Sequence, residues 1–131
     1  MSLNKIKTIK LEIIKNNKGD ILKYLTSKNS FFRKFGEIYF TEIKKNKIKG
    51  WNYHKKNWSL FAVPYGKVKF TFAKNISGKK KIITIGKKNY SIIVVPPCTW
   101  FNFTSIDKFS LIVNTLNNMH NDKETLKIPI I

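Results

Sequence analysis

The stretch KGWNYHKKN, Lys49 to Asn57, carries the residues best suited to chemistry. His54 is one of two histidines in 131 residues, and imidazole can take or give a proton near neutral pH. Asn52 stands two positions before it. If the segment is a strand, alternation puts Ile48, Gly50, Asn52 and His54 on one face, opposite Lys49, Trp51 and Tyr53. With Ile48 inward, Asn52 and His54 need hydrogen-bond partners inside the fold or a water-filled pocket. The competing reading leaves His54 half exposed at a strand end and Asn52 bonded to neighbouring backbone. Trp51, Trp58 and Trp100 pose the same choice, between stacking on a ligand ring and packing in the core.

Other chemistries find little support. The seven carboxylates do not suggest a two-carboxylate hydrolase. There is no glycine-rich phosphate loop, no Gly-x-Ser-x-Gly elbow and no pair of Cys-x-x-Cys half-sites. Cys98 is the single cysteine, so no internal disulfide forms. No N-terminal run reads as a signal peptide or membrane helix, and a soluble cytoplasmic protein without membrane insertion is expected.

The net charge of +19 raises the question of nucleic acid, because neutralised phosphates release counterions. Against it, Arg33 is the only arginine among 26 basic residues, whereas base readout and bidentate phosphate gripping favour the guanidinium fork. The lysines are spread along nearly every segment, beside 14 asparagines and 19 isoleucines, as an AT-rich genome would write them. A solvated lysine surface is the better reading. A small anionic ligand is compatible with it.

The elements that must position these residues have period two. In KVKFTFA, Val68, Phe70 and Phe72 alternate with Lys67, Lys69 and Thr71, the pattern of a half-buried antiparallel strand. Similar runs recur at residues 8–14, 20–25, 36–43, 48–54, 59–63, 81–85, 91–95 and 109–116, separated by turn signals such as NNKGD, PYGK and NISGKK. About nine short strands at this spacing predict an all-β, double-sheet jelly roll. One helical turn is expected over residues 27–35, SKNSFFRKF. No repeat or linker divides the chain, so residues 1–131 read as a single domain, and the apolar end of KETLKIPII is expected to dock on the body or on a second subunit.

Taken together in order and spacing, GEIYF (36–40), KGWNYHKKN (49–57), LFAVPYGKVKF (60–70) and VVPPCTWFNF (94–103) resemble the short members of the dTDP-4-dehydrorhamnose 3,5-epimerase-like group of the cupin superfamily. The likeness runs from about Asn17 to about Glu124 and extends to the dTDP-sugar 3,4-ketoisomerases. It implies a cupin-type jelly roll with a ligand pocket inside the barrel, a homodimer, and proton transfer beside the C4 ketone of a dTDP-4-keto-6-deoxyhexose in surface polysaccharide biosynthesis. Of the metal-binding cupins' ligand positions only His54 is retained: the others fall at Asn52, at Trp58 or Ser59, and at Phe101. One imidazole cannot hold a transition metal against water, so neither metal nor cofactor is expected.

The resemblance also assigns roles. The usual epimerase histidine, lysine and tyrosine correspond to Asn52, Ser59 and a position near Asn117, and asparagine is no base. His54 becomes the surviving base and Tyr39 its acid partner. Lys18 stands where the family has a phosphate-gripping arginine, Lys49 where it has the arginine before the catalytic Gly-x-His, and Glu37 falls at a substrate-contacting position. Asn52, Ser59, Phe61, Trp100 and Asn102 complete the implied substrate-binding set. The alternative is a catalytically degenerate cupin that binds a nucleotide sugar or glycan without turnover. His120 reads as a surface loop residue after the last strand.

Overall fold

The computed structural model describes residues 3–130. Among them lie twelve strands: β1 (Lys7–Lys10), β2 (Ile13–Ile14), β3 (Ile21–Leu22), β4 (Glu37–Lys44), β5 (Ile48–His54), β6 (Ser59–Tyr65), β7 (Lys67–Ala73), β8 (Lys80–Gly86), β9 (Ser91–Val95), β10 (Trp100–Ser105), β11 (Phe109–Leu116) and β12 (Thr125–Lys127). Two five-stranded sheets, ordered β1-β9-β6-β11-β4 and β12-β5-β10-β7-β8, form the jelly roll, and β2 pairs with β3 in a small third sheet.

Alternation builds the core between the large sheets. Ile43, Phe61, Val63, Ile93, Val95 and Ile112 come from the first sheet; Val68, Phe70, Phe72, Ile85, Phe101 and Phe103 come from the second. Outer residues of β7 and β10, such as Thr71 and Thr104, alternate with these and are more exposed. β6 and β9 depart from period two because both their faces are covered. Leu60, Ile92 and Val94 lie under Leu11, Tyr24, Leu25, Phe31 and Trp58, while Ala62, Tyr90 and Val113 lie under Leu11, Ile13, Leu22 and Tyr24. SIIVV is therefore an unbroken apolar run, as strands buried on both sides are.

Three expectations need correction. Residues 27–35 form turns, closed by the Asn29 and Phe32 amides donating to the Thr26 and Asn29 carbonyls, and Phe31 packs there against the outer cluster. Among the described residues the one short helical element is a 3-10 turn at Leu3–Lys5. The nine expected strands become twelve, because residues 8–14 divide at Leu11 and Glu12, Trp100–Ser105 forms β10, and the tail supplies β12.

The third correction concerns the strand with the histidine. Phe103, Asn102, Phe101 and Trp100 of β10 pair with Lys49, Gly50, Asn52 and Tyr53 of β5, so Trp51 is an extra residue in the ladder. A bulge of this kind reverses the parity of everything beyond it. Asn52 and His54 face inward beside Phe101, but Lys49, paired with Phe103, now shares that face. Ile48 turns outward and is 52% exposed. Gly50 makes the bulge possible: its φ is +123°, and a Cβ there would stand 2.7 Å from the Phe101 carbonyl oxygen.

Candidate active site

A pocket of about 180 Å³ opens between the two sheets. Tyr39, Thr41, Phe61, Ile112 and Asn114 line it from the first sheet. Lys49, Asn52, His54, Phe101, Phe103, Thr125 and Lys127 line it from the second, and His120 enters from the loop before β12. A larger groove of about 990 Å³ lies among the β6–β7, β8–β9 and β10–β11 turns, with Lys44, Lys67, Lys87, Lys88 and Lys108 around Tyr65 and Phe109. It contains neither histidine, so the smaller pocket is the candidate for chemistry.

His54 is 5% exposed and its ring stacks near Phe101, at 6.0 Å between centroids. Its Nδ1 lies 2.7 Å from Glu124 Oε1 and 3.2 Å from Thr125 Oγ1. This contact exists because β12 pairs with β5, setting Thr125 opposite His54. Glu124 also accepts hydrogen bonds from the Lys56 and Asn57 amides and from the Asn57 side chain. Burial pushes its carboxyl up, but these donors and His54 outweigh burial and hold it at about 2. An ionised Glu124 can only accept, so the His54 proton sits on Nδ1 and Nε2 carries the lone pair. Burial lowers the His54 pKa; Glu124 opposes that shift, while His120 and Lys127 add to it. The ring is therefore neutral at pH 7 and competent as a base.

Tyr39 faces the same pocket from β4. Its hydroxyl accepts a 2.8 Å hydrogen bond from Asn114 Nδ2 on β11. Burial raises the phenol pKa, Asn114 lowers it, and the negative charge of Glu37 raises it again. Glu37 stands beside the pocket, where its Oε1 accepts the His120 amide at 2.8 Å.

Of the ten residues singled out in the sequence, five line the pocket together: His54, Tyr39, Asn52, Lys49 and Phe61. Glu37 borders it. Ser59 is buried at the start of β6 on the Phe61 face but is not part of the lining. Trp100 and Asn102 alternate with the core residues Phe101 and Phe103 and face out of the barrel, Trp100 against Tyr53 at 4.7 Å. Lys18 lies in the β2–β3 turn on the outer side of the first sheet, where its amide donates to Asn16 Oδ1. These last three do not meet the pocket. Trp58 belongs to the outer cluster beneath the Arg33 guanidinium, 3.6 Å from its ring centroid.

Glu124, Asn114, His120, Thr125 and Lys127 were not among the expected site residues. Asn114 had a signal: in FSLIVNTL it is the polar member of the inward series Ile112, Asn114, Leu116. His120 is an exposed residue of the loop after β11, as expected, and it also lines the pocket; its Nε2 lies 3.0 Å from Asp122 Oδ1. Among the described residues no three of His, Cys, Asp and Glu gather as a metal site, and no helix is long and apolar enough to cross a membrane.

Solved structures share this architecture. A dTDP sugar isomerase from Desulfovibrio desulfuricans G20 superposes with a TM-score of 0.90 at 28% identity, over 95% of this chain and 84% of its own. In its fold the chain is a cupin-type jelly roll. The Legionella pneumophila 3,5-epimerase RmlC, in complex with dTDP-4-keto-L-rhamnose, matches this cupin with a TM-score of 0.85 at 12% identity, over all of this chain and 76% of its own. The sugar 3,4-ketoisomerase QdtA from Thermoanaerobacterium thermosaccharolyticum, in complex with TDP, gives 0.80 at 17% identity, over 95% and 89%. No family model and no curated protein matches the cupin's sequence.

Proposed function

We propose that this pocket carries out metal-independent proton transfer beside the C4 ketone of a dTDP-4-keto-6-deoxyhexose-type nucleotide sugar, as an epimerase or ketoisomerase in cytoplasmic surface-polysaccharide synthesis. The observation that carries the reading is that His54, held by Glu124, and Tyr39, held by Asn114, line one small pocket from opposite sheets. The ketone acidifies the adjacent C–H. His54 Nε2 takes that proton, the electron pair moves onto the ketone oxygen as an enolate, and Tyr39 returns a proton to carbon from the other side. Imidazolium then loses its proton to solvent and phenolate regains one.

At about 180 Å³ the pocket is smaller than the roughly 300–1,000 Å³ that encloses a whole drug-sized ligand. It suits a sugar ring, with the nucleotide lying outside. Lys49 and Lys127 supply positive charge beside the ring for the diphosphate or the enolate. Asn52 and Thr41 offer hydrogen bonds to sugar hydroxyls.

A second reading, binding without turnover, is favoured by Asn52, Ser59 and Asn117, which stand where the resemblance puts the usual histidine, lysine and tyrosine. Solvent-deuterium exchange into dTDP-4-keto-6-deoxyglucose, followed by NMR, separates the two. Exchange at C3 or C5 that disappears in His54→Ala supports catalysis. Thermal stabilisation by dTDP with no exchange supports binding alone, and no response to any nucleotide sugar rejects both.

A further inference from the structure

Asn114 is 3% exposed and lies directly opposite Tyr39 in the β4–β11 ladder. Its Nδ2 donates to the Tyr39 hydroxyl at 2.8 Å, while its Oδ1 is buried with no hydrogen-bond partner among the described residues. An unmatched buried carbonyl is a cost to the fold that leucine at the same position would remove. β11 already places Ile112 and Leu116 on this face, both fully buried, so an apolar residue would suit position 114. The amide serves something other than packing.

We propose that Asn114 is a positioning residue that aims the Tyr39 hydroxyl into the pocket as a proton donor. The argument turns on the direction of one hydrogen bond. A phenol that accepts from an amide N–H keeps its own hydrogen for another partner, and here the remaining side of Tyr39 faces the pocket. The same bond stabilises the phenolate that forms when Tyr39 gives its proton away. It thereby counters burial and the neighbouring Glu37 charge, which both hold the proton on. The other charged or titratable groups lining this pocket are Lys49 and His54 on β5, His120 on the loop and Lys127 on β12. None of them is hydrogen-bonded to the phenol. Asn114 would thus contribute to the reaction without touching the reacting carbon.

The inference rests on the reading of this pocket as a proton-transfer site, and its test is built to separate the two. Tyrosine labelled with ¹³C at Cζ gives a resonance for each phenol, with Tyr39 assigned by Tyr39→Phe. In Asn114→Leu the Tyr39 resonance should titrate at higher pH than in the wild type. Deuterium exchange should lose about a hundredfold in kcat with little change in KM, and the melting temperature should not fall. Asn114→Asp keeps the shape but offers an acceptor in place of the N–H, capturing the hydroxyl; it should raise the Tyr39 titration and depress kcat as well, and it carries the test if Asn114→Leu does not fold. An unchanged Tyr39 titration, or an unchanged kcat in an active enzyme, overturns the proposal. If the wild type exchanges no proton with any nucleotide sugar, the functional reading fails, while the titration alone still decides whether Asn114 governs the phenol.

Discussion

Glu124 Oε1 lies 2.7 Å from His54 Nδ1, and the same carboxylate gathers the Lys56 and Asn57 amides. One acidic side chain therefore orients the candidate base and fastens the segment after β11 to the end of β5. Because the imidazole donates from Nδ1, its reactive nitrogen is fixed by a residue seventy positions away in sequence. The two groups titrate in different ranges, which makes their contributions separable.

Acid should weaken the fold in two stages. Burial depresses the His54 pKa below its ordinary 6.5, so the unfolded chain binds a proton that the folded one refuses. Stability therefore falls as pH drops below about 6.5 toward the folded value. Glu124 is held at about 2 against an ordinary 4.5. Its contribution is complete above 4.5 and is lost as pH falls from there toward 2. Urea unfolding at a series of pH values reads both steps. In His54→Gln the upper step should vanish and the lower one remain; an unchanged upper step would place that titration elsewhere.

Glu124→Gln keeps the size of the side chain and removes its charge. The charge favours the imidazolium that forms when His54 takes a proton, so its loss should push the His54 pKa lower still and cut the exchange rate by about a hundredfold. The stability cost should be about 2 kcal/mol, because several hydrogen bonds to an ionised acceptor become neutral ones. Histidine NMR titration, exchange kinetics and urea unfolding check the three parts. A His54 titration that stays in place would break the link between the two residues.

The bulge at Trp51 makes Lys49 a pocket residue and Ile48 a surface one. Lys49→Ala should weaken dTDP-sugar affinity about tenfold by losing a charge beside the pocket, whereas Ile48→Ala should leave it unchanged. Gly50→Ala sets a Cβ 2.7 Å from the Phe101 carbonyl oxygen at φ +123°. It should cost about 2 kcal/mol or more of stability and reduce affinity by moving Lys49. Isothermal titration with dTDP measures the affinities and urea unfolding the stability. Equal losses for Ile48→Ala and Lys49→Ala would contradict the parity.

The sequence and the structure agree where alternation governs and part where one residue disturbs it. KVKFTFA and its relatives alternate because one face meets the core, so the jelly roll is legible from period two. The interior of β5 is not, because a single extra residue at Trp51 exchanges Lys49 for Ile48. The signal was Gly50, a glycine inside a strand. Asn114 was legible by the same parity that singled out Asn52. Glu124 was not, since nothing local says that a tail will pair with β5. In SKNSFFRKF the aromatic spacing suits a helical turn equally well as a loop laid over Leu60 and Val94. Trp100 and Asn102 came from the resemblance, and β10's alternation turns them away from the pocket.

The outer side of β4 bears on the expected homodimer. β4 is the last strand of its sheet, so one of its edges is unpaired. Its outward residues Ile38 and Phe40 are 44% and 65% exposed, and Phe35, just before the strand, is 64% exposed. An unpaired edge beside an apolar face invites association. A second copy of this chain fits it better than a basic or acidic partner, since two such faces are alike and a two-fold axis would cover both at once. Light scattering should therefore give a mass twice the 15.4 kDa of the chain, and Phe40→Lys should return it to the single-chain mass. Tyr39 and Thr41 point the other way on the same strand, so the pocket should persist in that variant if it is complete within one chain. A Phe40→Lys protein that is monomeric yet keeps exchange would assign the whole reaction to one subunit; one that loses both would mean that the partner's surface completes the site. A wild type of 15.4 kDa at every concentration tried would rule out this interface.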